Sequence, residues 1–407
     1  MNAFFKAYCR VYQGIFKIAM PLLNLRVPAT INGLKALPDA IEKEHIDSVL
    51  IVTDDVLHNK LKLIEGLKSD LEAKNIKYTV FDKTVPNPTI GNIEEAYALY
   101  KENGCKGIIA FGGGSPMDCA KGVGCKVARP NKPIQKMKGT LKVCKKLPTI
   151  FAIPTTSGTG SEATVAAVIS DPDKHEKYPI NDPVLIPKYA VLEPELTLGL
   201  PQHITSTTGM DALTHAVEAY IGKSTTPQTR AWAVKATKLV FENLEAVYDN
   251  GADIKKRRNM QFASYYAGLA FTRAYVGNVH ALAHALGGMY GTPHGFANAV
   301  ILPHILDFYG SAAYEPLAEL ATAVGIKGAS TEAKAKAFIQ AIKDMNAYMN
   351  IPTTISGERI KPIQEEDIPT MAEHAYKEAN PLYPVPKIMS KEDFIAMYHK
   401  LMPESEK

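Results

Sequence analysis

Cysteine is scarce in this chain: there are five in 407 residues, an odd number with no Cys-x-x-Cys pair. That excludes a disulfide framework and points to a reducing, cytoplasmic setting. No apolar run approaches the roughly 20 residues that a spanning helix needs, so no integral membrane segment is expected. Charge of one sign is not concentrated either. The net charge of +4 comes from 46 basic and 42 acidic residues spread along the length, leaving no basic stripe for nucleic acid and no acidic tail. The one short basic cluster, Lys255 to Arg258, reads as a solvated helix end. Internal repeats and low-complexity linkers are absent, and so is the Gly-x-Gly-x-x-Gly dinucleotide fingerprint.

What the chain does have is a compressed set of metal-competent side chains. Asp211 and His215 are four residues apart in TTGMDALTHAVEAY, a run of helix formers, so both project from one helical face. His280 and His284 repeat that spacing in VHALAHALGG, and Gly287-Gly288 followed by YGTPHG supplies a turn that can return His294 toward them. A single His in an apolar helix is usually a hydrogen-bonded core residue. Burying five such groups without a shared partner is costly, at about 1–3 kcal/mol for each unpaired polar group. Imidazoles with a carboxylate suit Fe(II) or Zn(II), whereas Mg and Ca prefer all-oxygen shells.

A second signal lies upstream. In KGIIAFGGGSPMDCAKGV an apolar strand ends in Gly112-Gly113-Gly114, and Ser115-Pro116 then opens a helix, with Ser115 expected as its cap. Glycine lets a backbone approach a phosphate, and a helix start attracts one, although such a turn is often no more than a turn. SVLIVTD is a strand ending in Asp54, which can accept from an adenosine ribose hydroxyl and would repel a 2′-phosphate, favouring NAD over NADP; Asp54 or Asp55 can equally cap the next helix. TIFAIPTTSGTGSE is another strand, breaking into a loop of small hydroxyl donors.

Six apolar runs, SVLIVTD, KYTVFD, GIIAFGG, TIFAIPTT, ATVAAVIS and YAVLEP, alternate with helical patterns as far as about Leu198. The alternation predicts a parallel sheet with helices on its faces. After Pro201 the texture turns to helical spacing almost to the end. We therefore expect an N-terminal extension over 1–24, an α/β dinucleotide-binding domain over 25–200 and an all-α metal-binding domain over 201–407. The extension fits an amphipathic helix with Phe5, Tyr8, Tyr12, Ile15, Phe16 and Met20 tending to one side, packed on the body or on a second subunit rather than on a membrane surface.

The motifs FGGGSPMDCAK, IPTTSGTGSE, GMDALTHAVEAY and VHALAHALGGMYGTPHGFANAVILPH, in that order, resemble the iron-containing alcohol dehydrogenase family, in its branch of lactaldehyde reductase, 1,3-propanediol dehydrogenase and clostridial-type alcohol dehydrogenases. The resemblance implies a dehydroquinate-synthase-like fold and a homodimer or larger homo-oligomer. It implies that Asp211, His215, His280 and His294 bind Fe(II), with Zn(II) the alternative, and that His284 is not a ligand but a proton relay beside the nicotinamide. For the cofactor it implies Asp54 at the adenosine ribose, Asn87 near the adenosine side, and Gly113, Gly114 and Ser115 with Asp118 at the pyrophosphate. It places Thr155, Thr156 and Thr159 at the ribose and nicotinamide, and Lys177 near the nicotinamide ribose. Phe271 matches an aromatic pocket wall. Ala166 stands where some relatives have a polar Asn, which favours less hydroxylated substrates.

The expected reaction transfers hydride between a small primary alcohol or diol and NAD(H). A divalent cation lowers the pKa of a bound oxygen, as it takes water from 15.7 to about 7 in zinc enzymes. Glycerol dehydrogenase-like and dehydroquinate synthase-like enzymes are the rivals within the fold. The latter needs a basic cluster for a phosphate-bearing substrate, and Arg273 alone lies near the His motif. A catalytically silent metal or nucleotide sensor is the rival from another class, and the complete ligand set argues against it.

Overall fold

The computed structural model describes residues 3–20, 23, 25–174 and 176–403; the side chains of Phe16 and Lys174 lie outside what is described. The chain forms two compact units, one of residues Met1–Leu23 with Leu200–Lys407 and one of Asn24–Gly199. The first helix, α1 (Ala3–Ala19), therefore belongs with the C-terminal residues.

The Asn24–Gly199 unit is built on a six-stranded sheet. Its strands are β1 (Ala29–Asn32), β2 (Ser48–Val52), β3 (Lys77–Phe81), β4 (Gly107–Gly112), β6 (Thr149–Pro154) and β9 (Tyr189–Leu192), in the order β1-β9-β6-β4-β2-β3 and parallel throughout. Every residue of β2 and β4 is buried, as expected of parallel strands covered on both faces. Alternate residues feed two cores: Val49 and Ile51 join Leu37, Ile41 and Phe111 on one face, while Leu50 and Val52 join Ile93, Ile108 and Val123 on the other. The covering helices are α2 (Leu37–Lys43), α3 (Glu65–Ala73), α4 (Ile90–Glu102) and α5 (Gly114–Ala128). The start of α4 is held by a capping box between Thr89 and Asn92.

Two expectations for this unit need correcting. ATVAAVIS is not in the main sheet: it is β7 (Ala166–Asp171), antiparallel to β8 (Glu176–Asn181), with β5 (Gly139–Thr140) beside β8. Its alternate residues are only half-buried, so it could not fill an interior parallel position, and β1 completes the sheet instead. The cap of α5 is Gly113, not Ser115, and the Ser115 hydroxyl accepts from Asn87 N at 3.1 Å.

The other unit is helical from Leu200 onward. Its helices are α6 (Gln202–Ile221), α7 (Pro227–Asp249), α8 (Ile254–Ala274), α9 (Asn278–Tyr290), α10 (His294–Tyr309), α11 (Tyr314–Ala323), α12 (Thr331–Tyr348), α13 (Ile368–Ala379) and α14 (Lys391–Leu401). From Gly209 to Ile221 every residue of α6 is buried, which makes it the central helix of the core shared with α7, α8 and α10. No helix among the described residues is long and apolar enough to cross a membrane. The basic cluster is not wholly solvated. Arg257 is buried and donates to Gly251 O, Leu200 O and Thr205 Oγ1, because the α8 start folds back over the loop before it.

Helix α1 docks through polar side chains as much as apolar ones. Arg10 donates to Val385 O at 2.7 Å and Pro386 O at 2.9 Å, and Gln13 to Pro381 O at 3.1 Å and Tyr383 O at 2.8 Å. Phe5 stacks on Tyr376, Cys9 is buried, and Tyr12 and Met20 are half-buried. Tyr8 and Ile15, expected on the same side, are instead exposed at 52% and 60% and form an outward stripe with Phe4, Val11 and Ile18. All five cysteines are free, and only Cys144 is exposed.

Candidate metal centre and dinucleotide loops

Four side chains from three helices meet in the helical unit. Asp211 and His215 project from the buried middle of α6, His280 from the first turn of α9 and His294 from the start of α10. One donor atom from each lies within 4.8 Å of all the others, and only His294 is not fully buried. The turn that returns His294 lies later than the glycine pair suggested. Helix α9 runs on through Gly287-Gly288 and ends at Gly291, which takes a left-handed φ of 69°. Gly295 then lets α10 press onto α6: a Cβ there would meet Thr207 O at 2.6 Å.

The surroundings orient these donors. Glu218, one turn beyond His215, is buried beneath α9 and accepts from Gly277 N and Val279 N at 2.8 Å each, with His280 Nδ1 at 2.7 Å. A carboxylate in that place takes the Nδ1 hydrogen and leaves His280 Nε2 as a lone pair toward the cluster. Burial, and then the neighbouring histidines, push His280 well below its usual pKa, keeping the imidazole neutral as a ligand must be. Burial raises Glu218 to about 8 against the pull of its backbone donors. Phe271 on α8 stacks on His215 at 4.2 Å.

The donor set fits a divalent metal. Bonds of about 2.0–2.2 Å place ligand atoms roughly 3–4.4 Å apart, so the observed spread closes with a shift of a few tenths of an ångström. Asn298, one turn after His294, puts Nδ2 at 2.7 Å from Asp211 Oδ1, 3.1 Å from His294 Nε2 and 3.2 Å from His280 Nε2. The amide hydrogens thus face the Asp211 carboxylate and the His280 lone pair, electron pairs of the kind a cation would take. Asn298 Oδ1 is itself buried with no hydrogen-bond partner. Glu218 and Asn298 were missed in the sequence, although each lies on the helical face of a recognised ligand candidate.

His284 stands one turn after His280, its ring stacked on His294 at 5.1 Å. Its Nδ1 lies 2.6 Å from Glu378 Oε1, a partner no motif signalled.

In the sheet unit, the expected cofactor residues follow the carboxyl ends of adjacent strands, where ligands bind in open α/β sheets: Asp54 after β2, Gly113 after β4, Thr155 after β6. Gly113 and Gly114 lie against Thr156 and Thr159; a Cβ on Gly114 would meet Thr159 Cγ2 at 3.0 Å. Asn87 joins Ser115 to Lys177, whose Nζ is 2.5 Å from Asn87 Oδ1. Asp54 Oδ1 accepts from Leu57 N at 3.0 Å, so it caps the following turn. Asp118 faces inward rather than to the glycine loop, accepting from Ser161 Oγ and Val168 N at 3.0 Å each, and desolvation raises its pKa. One turn on, the buried Lys121 donates to Ser161 Oγ, Thr164 Oγ1 and Ala166 O, tying the hydroxyl loop to β7. Ala166 thus opens β7 with its carbonyl engaged.

Known proteins resemble this chain along most of its length. Residues 29–194 match the family model for iron-containing alcohol dehydrogenase, and residues 205–402 match that for the Fe-containing alcohol dehydrogenase family, C-terminal. The 1,3-propanediol dehydrogenase of Citrobacter freundii is 39% identical over 369 residues, covering 90% of this chain and 94% of that protein. The NAD-dependent methanol dehydrogenase of Bacillus methanolicus is 36% identical over 356 residues, covering 86% and 92%. A crystal structure of 1,3-propanediol oxidoreductase superposes with a TM-score of 0.88 at 34% identity, covering 93% of this chain and 99% of that one.

Proposed function

The chain belongs to the iron-containing alcohol dehydrogenase family, and from that premise we propose that it interconverts a small primary alcohol or diol and its aldehyde with NAD(H). The observation that carries this reading is the convergence of Asp211, His215, His280 and His294 in one buried pocket. These four would hold Fe(II) or Zn(II), and the family, named for iron, favours iron. When bound, such a cation supplies Lewis acidity that lowers the pKa of an alcohol oxygen.

The chain's own side chains supply the rest. Gly113, Gly114 and Ser115 would receive the pyrophosphate, and Asp118 would steady the neighbouring hydroxyl loop through Ser161. Thr155, Thr156, Thr159 and Lys177 would hold the nicotinamide ribose, while Asn87 and Asp54 take the adenosine side. The acid at Asp54 and the NAD-dependent relative support NAD over NADP. His284 would carry the alcohol proton outward as hydride leaves for the nicotinamide. Phe271, stacked on His215, would stand beside the substrate at the metal centre, and the methyl of Ala166 would favour substrates with few hydroxyls.

Two wider features are part of the same proposal. The free thiols support a reducing cytoplasmic setting, and the exposed apolar stripe of α1 supports assembly into a homo-oligomer. The test is NADH absorbance with a panel of primary alcohols, diols and aldehydes, using protein stripped by chelator and reloaded anaerobically with Fe(II) or Zn(II). Turnover that depends on added metal is expected. Absence of turnover with every substrate in both metal forms would overturn the proposal.

A further inference from the structure

His284 is gripped from a part of the chain far from its own motif. Glu378, on the last turn of α13, places Oε1 at 2.6 Å from His284 Nδ1, and the same oxygen accepts the Tyr383 hydroxyl at 2.7 Å. Tyr383 is buried, and burial with the adjacent Glu378 charge pushes its pKa well above the usual value, so its O–H remains a donor. An ionised carboxylate can only accept, which assigns the His284 ring hydrogen to Nδ1 and the lone pair to Nε2. The ring plane is limited from the other side by His294, stacked at 5.1 Å and 18°, and by His280, edge-on at 5.8 Å.

We propose that Glu378, braced by Tyr383, is a positioning residue that holds His284 as its Nδ1–H tautomer, so that Nε2 is the atom offered to the hydroxyl of the substrate. This rests on the dehydrogenase reading for its consequence in turnover, but the tautomer itself can be observed without turnover. A histidine held in the wrong tautomer presents a hydrogen where the reaction needs a lone pair, which in other enzymes has lowered kcat by orders of magnitude. Glu378 is about one-third exposed (side chain 33%), so water can partly replace it and the loss here is smaller.

The test compares Glu378→Leu with Glu378→Gln. Gln keeps an oxygen able to accept both the imidazole and the phenol hydrogens; Leu keeps the bulk and removes the acceptor. Nitrogen NMR of ring-labelled histidine, in metal-free or zinc-loaded protein and assigned by loss of signal in His284→Gln, should show the Nδ1–H tautomer in the unaltered chain and in Glu378→Gln, but not in Glu378→Leu. In NADH-linked assays kcat should fall about 10–100-fold in Glu378→Leu, the range typical of lost orienting partners. KM, metal content and NADH affinity should hold, and Glu378→Gln should retain most activity. An unchanged tautomer or an unchanged kcat in Glu378→Leu refutes the assignment, as does a Glu378→Gln enzyme as impaired as Glu378→Leu. If the unaltered chain turns over no alcohol, the dehydrogenase reading fails, and the NMR result still decides the role of Glu378.

Discussion

Replacing Glu218 with Gln should weaken both the metal centre and the helical unit, by amounts that the geometry sets. Oε2 accepts from Gly277 N and lies 2.7 Å from His280 Nδ1, while Oε1 accepts from Val279 N. A glutamine can keep its oxygen at the first of these places, and its NH2 then faces the Val279 N–H, donor against donor. One buried backbone donor is left unmet, at a cost of about 1–3 kcal/mol. For a unit of roughly 200 residues each kcal/mol lowers Tm by about 2–4 °C. Gln also replaces, as the acceptor behind His280 Nδ1, a carboxylate whose charged form a cation bound at His280 would favour, and partners of this kind change metal affinity by roughly 10–100-fold. The measurements are calorimetric unfolding of the metal-free protein and competition for zinc against a fluorescent chelator. Both should shift. Unaltered zinc affinity in Glu218→Gln would show that His280 does not depend on the carboxylate beneath it, and the reasoning about the whole centre would fail with it.

His280→Ala should lose bound metal and alcohol-linked NADH formation together; activity retained in metal-free mutant protein would remove these residues from the reaction. Asp54→Asn keeps a side chain able to cap Leu57 N but discards the charge, so its Tm should hold while its selectivity for NADH over NADPH relaxes. A selectivity ratio equal to that of the unaltered chain would take Asp54 away from the ribose. Glu162 is fully buried, and burial raises its pKa from 4.5 to about 7. Its contribution to stability is therefore whole below pH 4.5 and disappears as pH rises through 7. The stability difference between the unaltered chain and Glu162→Gln, from urea unfolding, should change by about 3 kcal/mol between pH 4.5 and pH 7.5; a flat difference contradicts the shift.

Much of the architecture was legible because burial imposes periodicity. SVLIVTD and GIIAFGG had to be interior strands, since unbroken apolar runs suit only a sheet covered on both faces. ATVAAVIS carried a similar composition, but nothing local separates a strand in the main sheet from a hairpin beside it; that choice is made by the half-exposed residues facing β8. Gly287-Gly288 looked like a helix stop, yet the packing of Ala283, Ala285 and Leu286 carries α9 past it. In the site, four-residue spacing made the Asp211–His215 and His280–His284 pairs visible, and the same rule extended by one turn would have reached Glu218 and Asn298. Glu378 could not be found that way. It lies 94 residues from His284, and only the tertiary fold brings them together.

The grip of Arg10 and Gln13 on the carbonyls of Pro381, Tyr383, Val385 and Pro386 gives the leading helix a structural duty at a distance. Trimming those first residues, or fusing a bulky tag close against them, would slacken the loop that follows Glu378, and an enzyme prepared in that way would report the handling of its amino terminus in its turnover number.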